Sequence, residues 1–154
     1  MRIDREIKSG REYRFGNEVL RYKISLPVIE GCEDITRFYS RIGSGCESFC
    51  KGRLAEESQK RCAYALDFAV PHVGCDELTV LIRARLICEG RVLEKYVGAH
   101  TWSLSRQRML TPSYLKKRYS KKRERHKKGR KLFLENGELR ELSDTNIDRF
   151  FKEY

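Results

Sequence analysis

No apolar run in this chain of 154 residues approaches the roughly 20 residues that a membrane-spanning helix needs, which excludes such a helix within it. Glycine-rich phosphate loops and nucleophile elbows are also missing, and with them the usual signatures of nucleotide cradling and serine hydrolysis. No segment repeats, and no low-complexity tract occurs apart from one basic run. Paired short Cys-x-x-Cys spacings are absent. Cys46 and Cys50, with His72 and Cys75 further on, can be drawn as a zinc site, but the spacing lacks the doublets of structural zinc. The reading is no metal and no cofactor, with Cys46 and Cys50 one turn apart on the inner face of a helix as small apolar side chains. The first fourteen residues, MRIDREIKSGREYR, are charged throughout and lack the apolar core of a secretory signal. A cytoplasmic protein with all six cysteines reduced is therefore expected.

What is present is an ordinary globular composition, 40% hydrophobic and 10% aromatic, in a chain of single-domain length. One α+β domain over residues 1–154 is expected. The net charge of +11 is concentrated: residues 116–131 hold eleven of the 33 Lys and Arg and one of the 22 acids, so this run carries +10. Lys116, Lys117, Arg118, Lys121, Lys122, Arg123, Arg125, Lys127, Lys128, Arg130 and Lys131 are the candidates for binding a polyanion through counterion release. Only Tyr119 and His126 within the run offer rings to stack on bases, which argues against sequence-specific single-strand recognition.

The hydrophobic period sets the elements. Leu20, Tyr22, Ile24, Leu26 and Val28 alternate as a strand, joined to Tyr13–Phe15 through a Gly16-Asn17 turn, and Pro27 is expected at an edge or strand end. From Asp34 the period changes to three and four. Ile35, Phe38, Tyr39, Ile42, Cys46, Phe49, Cys50 and Leu54 form the stripe of an amphipathic helix reaching to about Gln59. Phe49→Ala is expected to cost about 3–5 kcal/mol if that stripe is the core face. Gly43 and Gly45 within it suggest close approach to the sheet. Strand alternation resumes at Cys62–Val70, a loop spans Pro71–Asp76, and two long strands follow, joined at Glu89-Gly90. In the first of these, Leu78, Val80, Ile82, Ala84, Leu86 and Cys88 share one buried side, with the other side exposed. A short turn-helix follows around Leu110–Tyr119. Asn136-Gly137 predicts a type I′ hairpin, and Ser143 is the cap candidate for a last short helix carrying Ile147, Phe150 and Phe151. The expected architecture is one long amphipathic helix on a twisted, mainly antiparallel sheet, ending in a hairpin and a short helix.

Over residues 19–115, the phrases VLRYKISLPVIEG, ITRFY and WSLSRQRMLTPSYL resemble the bacterial RsiV/PdaC-type domain. That family has a strand ending in a Pro-Ile-Gly phrase, then a helix, and later a strand running into a turn. Its members include the extracytoplasmic part of a lysozyme-sensing anti-sigma factor and a non-catalytic module of a cell-wall polysaccharide deacetylase. The resemblance implies this fold, and a protein or cell-wall-related partner. The family's Asp and Thr-Gly in the late turn are replaced here by Ser105-Arg106-Gln107, and no family binding residue has a counterpart.

Tyr96, His100 and Trp102 alternate on one face of a strand, where an imidazole beside aromatics would suit a small polar site with a general base. A lone strand histidine more often serves structure, and no nucleophile or second titratable group converges on it. The functional expectation is a non-enzymatic binding or interaction module. The alternative is polyanion binding, of nucleic acid above all, through residues 116–131.

Overall fold

The computed structural model describes residues 1–55, 60–120, 131–143 and 146–151. Strands β1 (Ile3–Arg14) and β2 (Asn17–Ile29) lead into helix α1 (Glu33–Phe49), which continues through a π-helical stretch, Cys50–Leu54. Then come β3 (Cys62–Val73), β4 (Glu77–Cys88), β5 (Arg91–Ser103), β6 (Arg108–Met109) and α2 (Pro112–Tyr119). The chain ends with β7 (Lys131–Glu135), β8 (Glu138–Leu142) and a 3-10 turn, Ile147–Phe150. Among the described residues the strands form a six-stranded sheet in the order β1-β2-β3-β4-β5-β6 and a separate β7-β8 hairpin. Pairing is antiparallel in β1-β2, β5-β6 and β7-β8 and parallel in β2-β3. This is the expected α+β class.

The fold divides into two compact units. The first comprises Met1–Asp67 and Arg83–Tyr96, the second Phe68–Ile82 and the described residues from Val97 onward, so β3, β4 and β5 each contribute to both.

In the first unit α1 lies on β2. Ile35, Tyr39 and Gly43 are its buried residues, and a Cβ at Gly43 would run into the Leu26 side chain, so glycine lets the helix come this close to the strand. The approach expected of both glycines belongs to Gly43; a Cβ at Gly45 would meet open space. The helical stripe is also narrower than expected. Phe49 is 38% exposed, whereas Tyr39 is fully buried. Residues 56–59, where the helix was expected to end, lie outside the described residues.

Expectations change in β1, β3 and β4. β1 begins at Ile3 rather than Tyr13, and the turn residues are Phe15 and Gly16, both at positive φ (50° and 79°), rather than Gly16-Asn17. An edge strand of charged residues carries little hydrophobic alternation to reveal it. Pro27 stands near the end of β2, as expected, and because β2 pairs with β3 over Leu20–Ile24 only, the missing N–H falls past that pairing. β3 continues to Val73, which shortens the expected loop to Gly74–Asp76 and buries His72. In β4 both sides are buried rather than one: Thr79, Leu81 and Arg83 join the alternating apolar set. Glu89-Gly90 and Asn136-Gly137 both turn at positive φ, as their sequences require for type I′ hairpins.

Cys62 and Cys88 are joined by a disulfide, which corrects the expectation of six reduced thiols; Cys32, Cys46, Cys50 and Cys75 are free. Cys50 is buried, and burial pushes its thiol up to about 12. Tyr64 O–H donates to Cys46 Sγ at 3.4 Å. Alkylation of the unreduced, denatured protein should therefore label four cysteines and, after reduction, six. Six labels without reduction in protein from its native host would place it in a reducing compartment. Because the bridge spans 26 residues, Cys62→Ser with Cys88→Ser should lower stability to urea by about 3 kcal/mol.

Candidate functional site

The second unit holds a cleft built from three stretches of chain. Asp76, before β4, is its brace: one carboxylate oxygen accepts from Ser103 Oγ at 3.0 Å, and the other from Ser105 N–H at 2.8 Å. Leu104 N–H donates to the Asp76 carbonyl at 2.6 Å, so the turn from β5 into β6 is pinned at three points. Hydrogen bonds from Ser105, joined by Ser103 and the charge of Arg106, outweigh partial burial and hold the Asp76 carboxyl below its ordinary value. β6 then pairs with β5, Trp102 opposite Met109 and Ser103 opposite Arg108. Thr111 caps α2 by accepting from Tyr114 N–H at 3.2 Å, with Pro112 in the first turn. Leu115 anchors the helix in a cluster with Leu132, Leu134 and Leu139, against which Leu110 and Tyr119 pack. Tyr119 O–H donates to the Glu77 carboxylate.

Between these elements lies a cleft of about 500 Å³, flanked by Arg106, Arg108 and Arg118, with Met109, Leu110 and Tyr114 on its apolar side. Its two carboxylates are already engaged, Asp76 by serines and Glu77 by a tyrosine. Among the described residues none of the three arginines has an ion pair within 4 Å, although the charge of Arg106 acts on Asp76 and Arg118 interacts with Tyr119 and with the charge of Glu77. Guanidinium groups of this kind suit carboxylate or phosphate oxygens, which they bind as planar forks.

Of the expected basic residues, Lys116, Lys117 and Arg118 lie exposed on the last turn of α2, and Arg118 also lines the cleft. Lys131 opens β7 and donates to the Val97 carbonyl. Lys121, Lys122, Arg123, Arg125, Lys127, Lys128 and Arg130 lie outside the described residues. Tyr96 belongs to the first unit, exposed beside a groove with Phe49 and Tyr64. His100 and Trp102 belong to the second, their rings 6.4 Å apart, and Trp102 is buried. Cys46 and Cys50 fall in the first unit and His72 and Cys75 in the second; among the described residues no three His, Cys, Asp or Glu gather as metal ligands. Arg106, Arg108, Asp76 and Tyr114 were not singled out from the sequence. The available signal was two alternate arginines directly after a strand ending in Ser-x-Ser.

Burial, and then the charge of Lys131, push His100 down to about 4. The imidazole is neutral at physiological pH. A base held below its ordinary 6.5 in the folded state makes a contribution that is complete above that pH and is lost as pH falls toward 4. His72 acts in the same direction, lowered by burial against the opposing charge of Glu77, while its Nδ1 accepts from Gly137 N–H at 2.9 Å. Melting temperature should accordingly fall between about pH 6.5 and 4, and His100→Gln should flatten part of that fall. An identical slope in the variant would assign the acid sensitivity to other groups.

No family model matches the chain, and no curated protein matches it. Among solved structures, a DUF3298 family protein from Pseudomonas aeruginosa is similar at a TM-score of 0.56 and 9% sequence identity, the match covering 71% of this chain and 55% of that one. DUF3298 is related to the RsiV/PdaC-type domains. The likeness is one of fold, and the matched part spans little more than half of that protein's length.

Proposed function

We propose that this chain is a non-enzymatic binding module that recognises its partner through the arginine-lined cleft of its second unit. One observation carries the reading: Arg106, Arg108 and Arg118 surround a cleft whose own carboxylates are engaged by Ser103, Ser105 and Tyr119. A pinned turn and a capped helix present these charges, so little backbone freedom is lost on binding. The imidazole of His100, the base that an enzymatic reading would use, sits beside buried Trp102 and is not among the groups lining this cleft.

A second reading, binding of a nucleic acid or other polyanion through residues 116–131, is favoured by the exposed Lys116 and Lys117 at the end of α2. The two differ in what they capture. Wild-type protein and an Arg106→Ala, Arg108→Ala variant would be used as bait in native lysate, with and without nuclease. The binding-module reading expects a partner that survives nuclease and is lost with the variant. Capture that disappears on nuclease treatment supports the polyanion reading, and nuclease-resistant capture that the variant retains would remove the cleft from recognition.

A further inference from the structure

We infer that the cleft of the second unit is a site for a small ligand that carries one terminal anionic group, a carboxylate or a phosphate, next to an apolar or aromatic group. This rests on the cleft being the recognition surface proposed above, and adds the chemistry of what enters it. The anionic end follows from the three guanidiniums: Arg106 and Arg108 come from the turn and strand that Asp76 pins, and Arg118 comes from α2. Asp76 and Glu77 line the same cleft and accept hydrogen bonds from within the unit, so three guanidiniums stand against two carboxylates and leave one net positive charge for an incoming anion. Hydroxyl groups lie beside the cations. Ser105 lines the cleft, as does Thr111, whose Oγ1 accepts from Tyr114 N–H and so keeps its own O–H available to donate to a ligand oxygen.

The other half of the ligand follows from the apolar side chains of the lining. Met109 and Tyr114 are 42% and 44% exposed, so both offer apolar surface to a molecule in the cleft. They stand in the same cleft as the arginines. A phosphodiester chain would use the cations and leave these two side chains unused, whereas a molecule with one charged end and one apolar end would use both. A volume of about 500 Å³ falls within the range of small-molecule sites.

Titration calorimetry with N-acetyl-phenylalanine, its uncharged amide and phenyl phosphate tests this, each against wild type, Arg106→Gln and Arg108→Gln. The acid or the phosphate should bind, and the comparison between them identifies which anion the site prefers. The amide should bind about tenfold more weakly or worse, and each arginine variant should lose about tenfold, the scale of one charge-assisted hydrogen-bonding partner. Melting temperature should stay unchanged in Arg108→Gln, which loses no ion pair within the described structure, and fall slightly in Arg106→Gln, whose charge helps to hold Asp76 ionised. Equal affinity for acid and amide, or full affinity in both variants, would overturn the inference. So would binding of labelled duplex DNA with no binding of the three small probes. If the small probes fail while the nuclease-resistant partner is still lost with Arg106→Ala, Arg108→Ala, the recognition surface stands and only the ligand chemistry is wrong.

Discussion

Phe133→Ala is expected to lower the stability of the protein by about 3–5 kcal/mol, the range for a buried aromatic truncated to a cavity. Phe133 is fully buried in the middle of β7, in a cluster with Leu81, Leu142, Ile147 and Phe151. Its ring meets Phe150 edge to face, centroids 5.5 Å apart at 85°, so truncation removes an aromatic pair as well as area. Its neighbours Leu132 and Leu134 point to the other cluster, with Leu115 and Leu139 beneath α2. The β7-β8 hairpin is thus packed on both faces, and collapse from either side cannot refill the space. Urea unfolding followed by circular dichroism measures the change; a loss under about 1 kcal/mol would mean that the hairpin is not part of the core.

Tyr39→Ala should cost a similar 3–5 kcal/mol, and Phe49→Ala less than about 1 kcal/mol. The helical stripe read from the sequence treats the two as equals and assigns the large cost to Phe49. They are not equal. Tyr39 is fully buried, edge-on to Phe38 at 5.0 Å, on the face of α1 that lies on β2. Phe49 is more than one-third exposed at the end of the helix, beside the groove with Tyr64 and Tyr96. A helix of 3.6 residues per turn rotates its stripe relative to the strand below, and the turn becomes π-helical at Cys50. Fully buried positions return at Cys50 rather than Phe49. If Phe49→Ala proved the more costly of the two, the face of α1 would be assigned wrongly.

How much of the candidate site was legible follows from how far apart its parts are in the chain. Thr111-Pro112 before a short helix is a local start signal, and the helix begins there. The concentration of positive charge in 116–131 is likewise local, and Arg118 of that run does line the cleft. Asp76, however, meets Ser103 and Ser105 across separations of 27 and 29 residues, and Tyr119 meets Glu77 across 42. Nothing in the spacing of any one segment shows that two carboxylates will be engaged elsewhere, and without that fact the arginines read as ordinary surface charge. The disulfide was missed for the same reason. Cys62 and Cys88 stand 26 residues apart on different strands, and neither composition nor spacing brings them together.

The Glu89-Gly90 and Asn136-Gly137 turns, the alternation of β2 and β4, the change of period at α1 and the α+β class were determined by the sequence alone. Each rests on interactions within a few residues: positive φ at a turn, side chains alternating along a strand, side chains three and four apart along a helix. Tertiary structure decided which helical residue is buried, that β4 has two covered sides rather than one and that Cys62 pairs with Cys88. Tertiary contacts also decided which arginines gather around one cleft. Each of these depends on a partner brought from elsewhere in the chain, and local propensity carries no information about partners that only folding assembles.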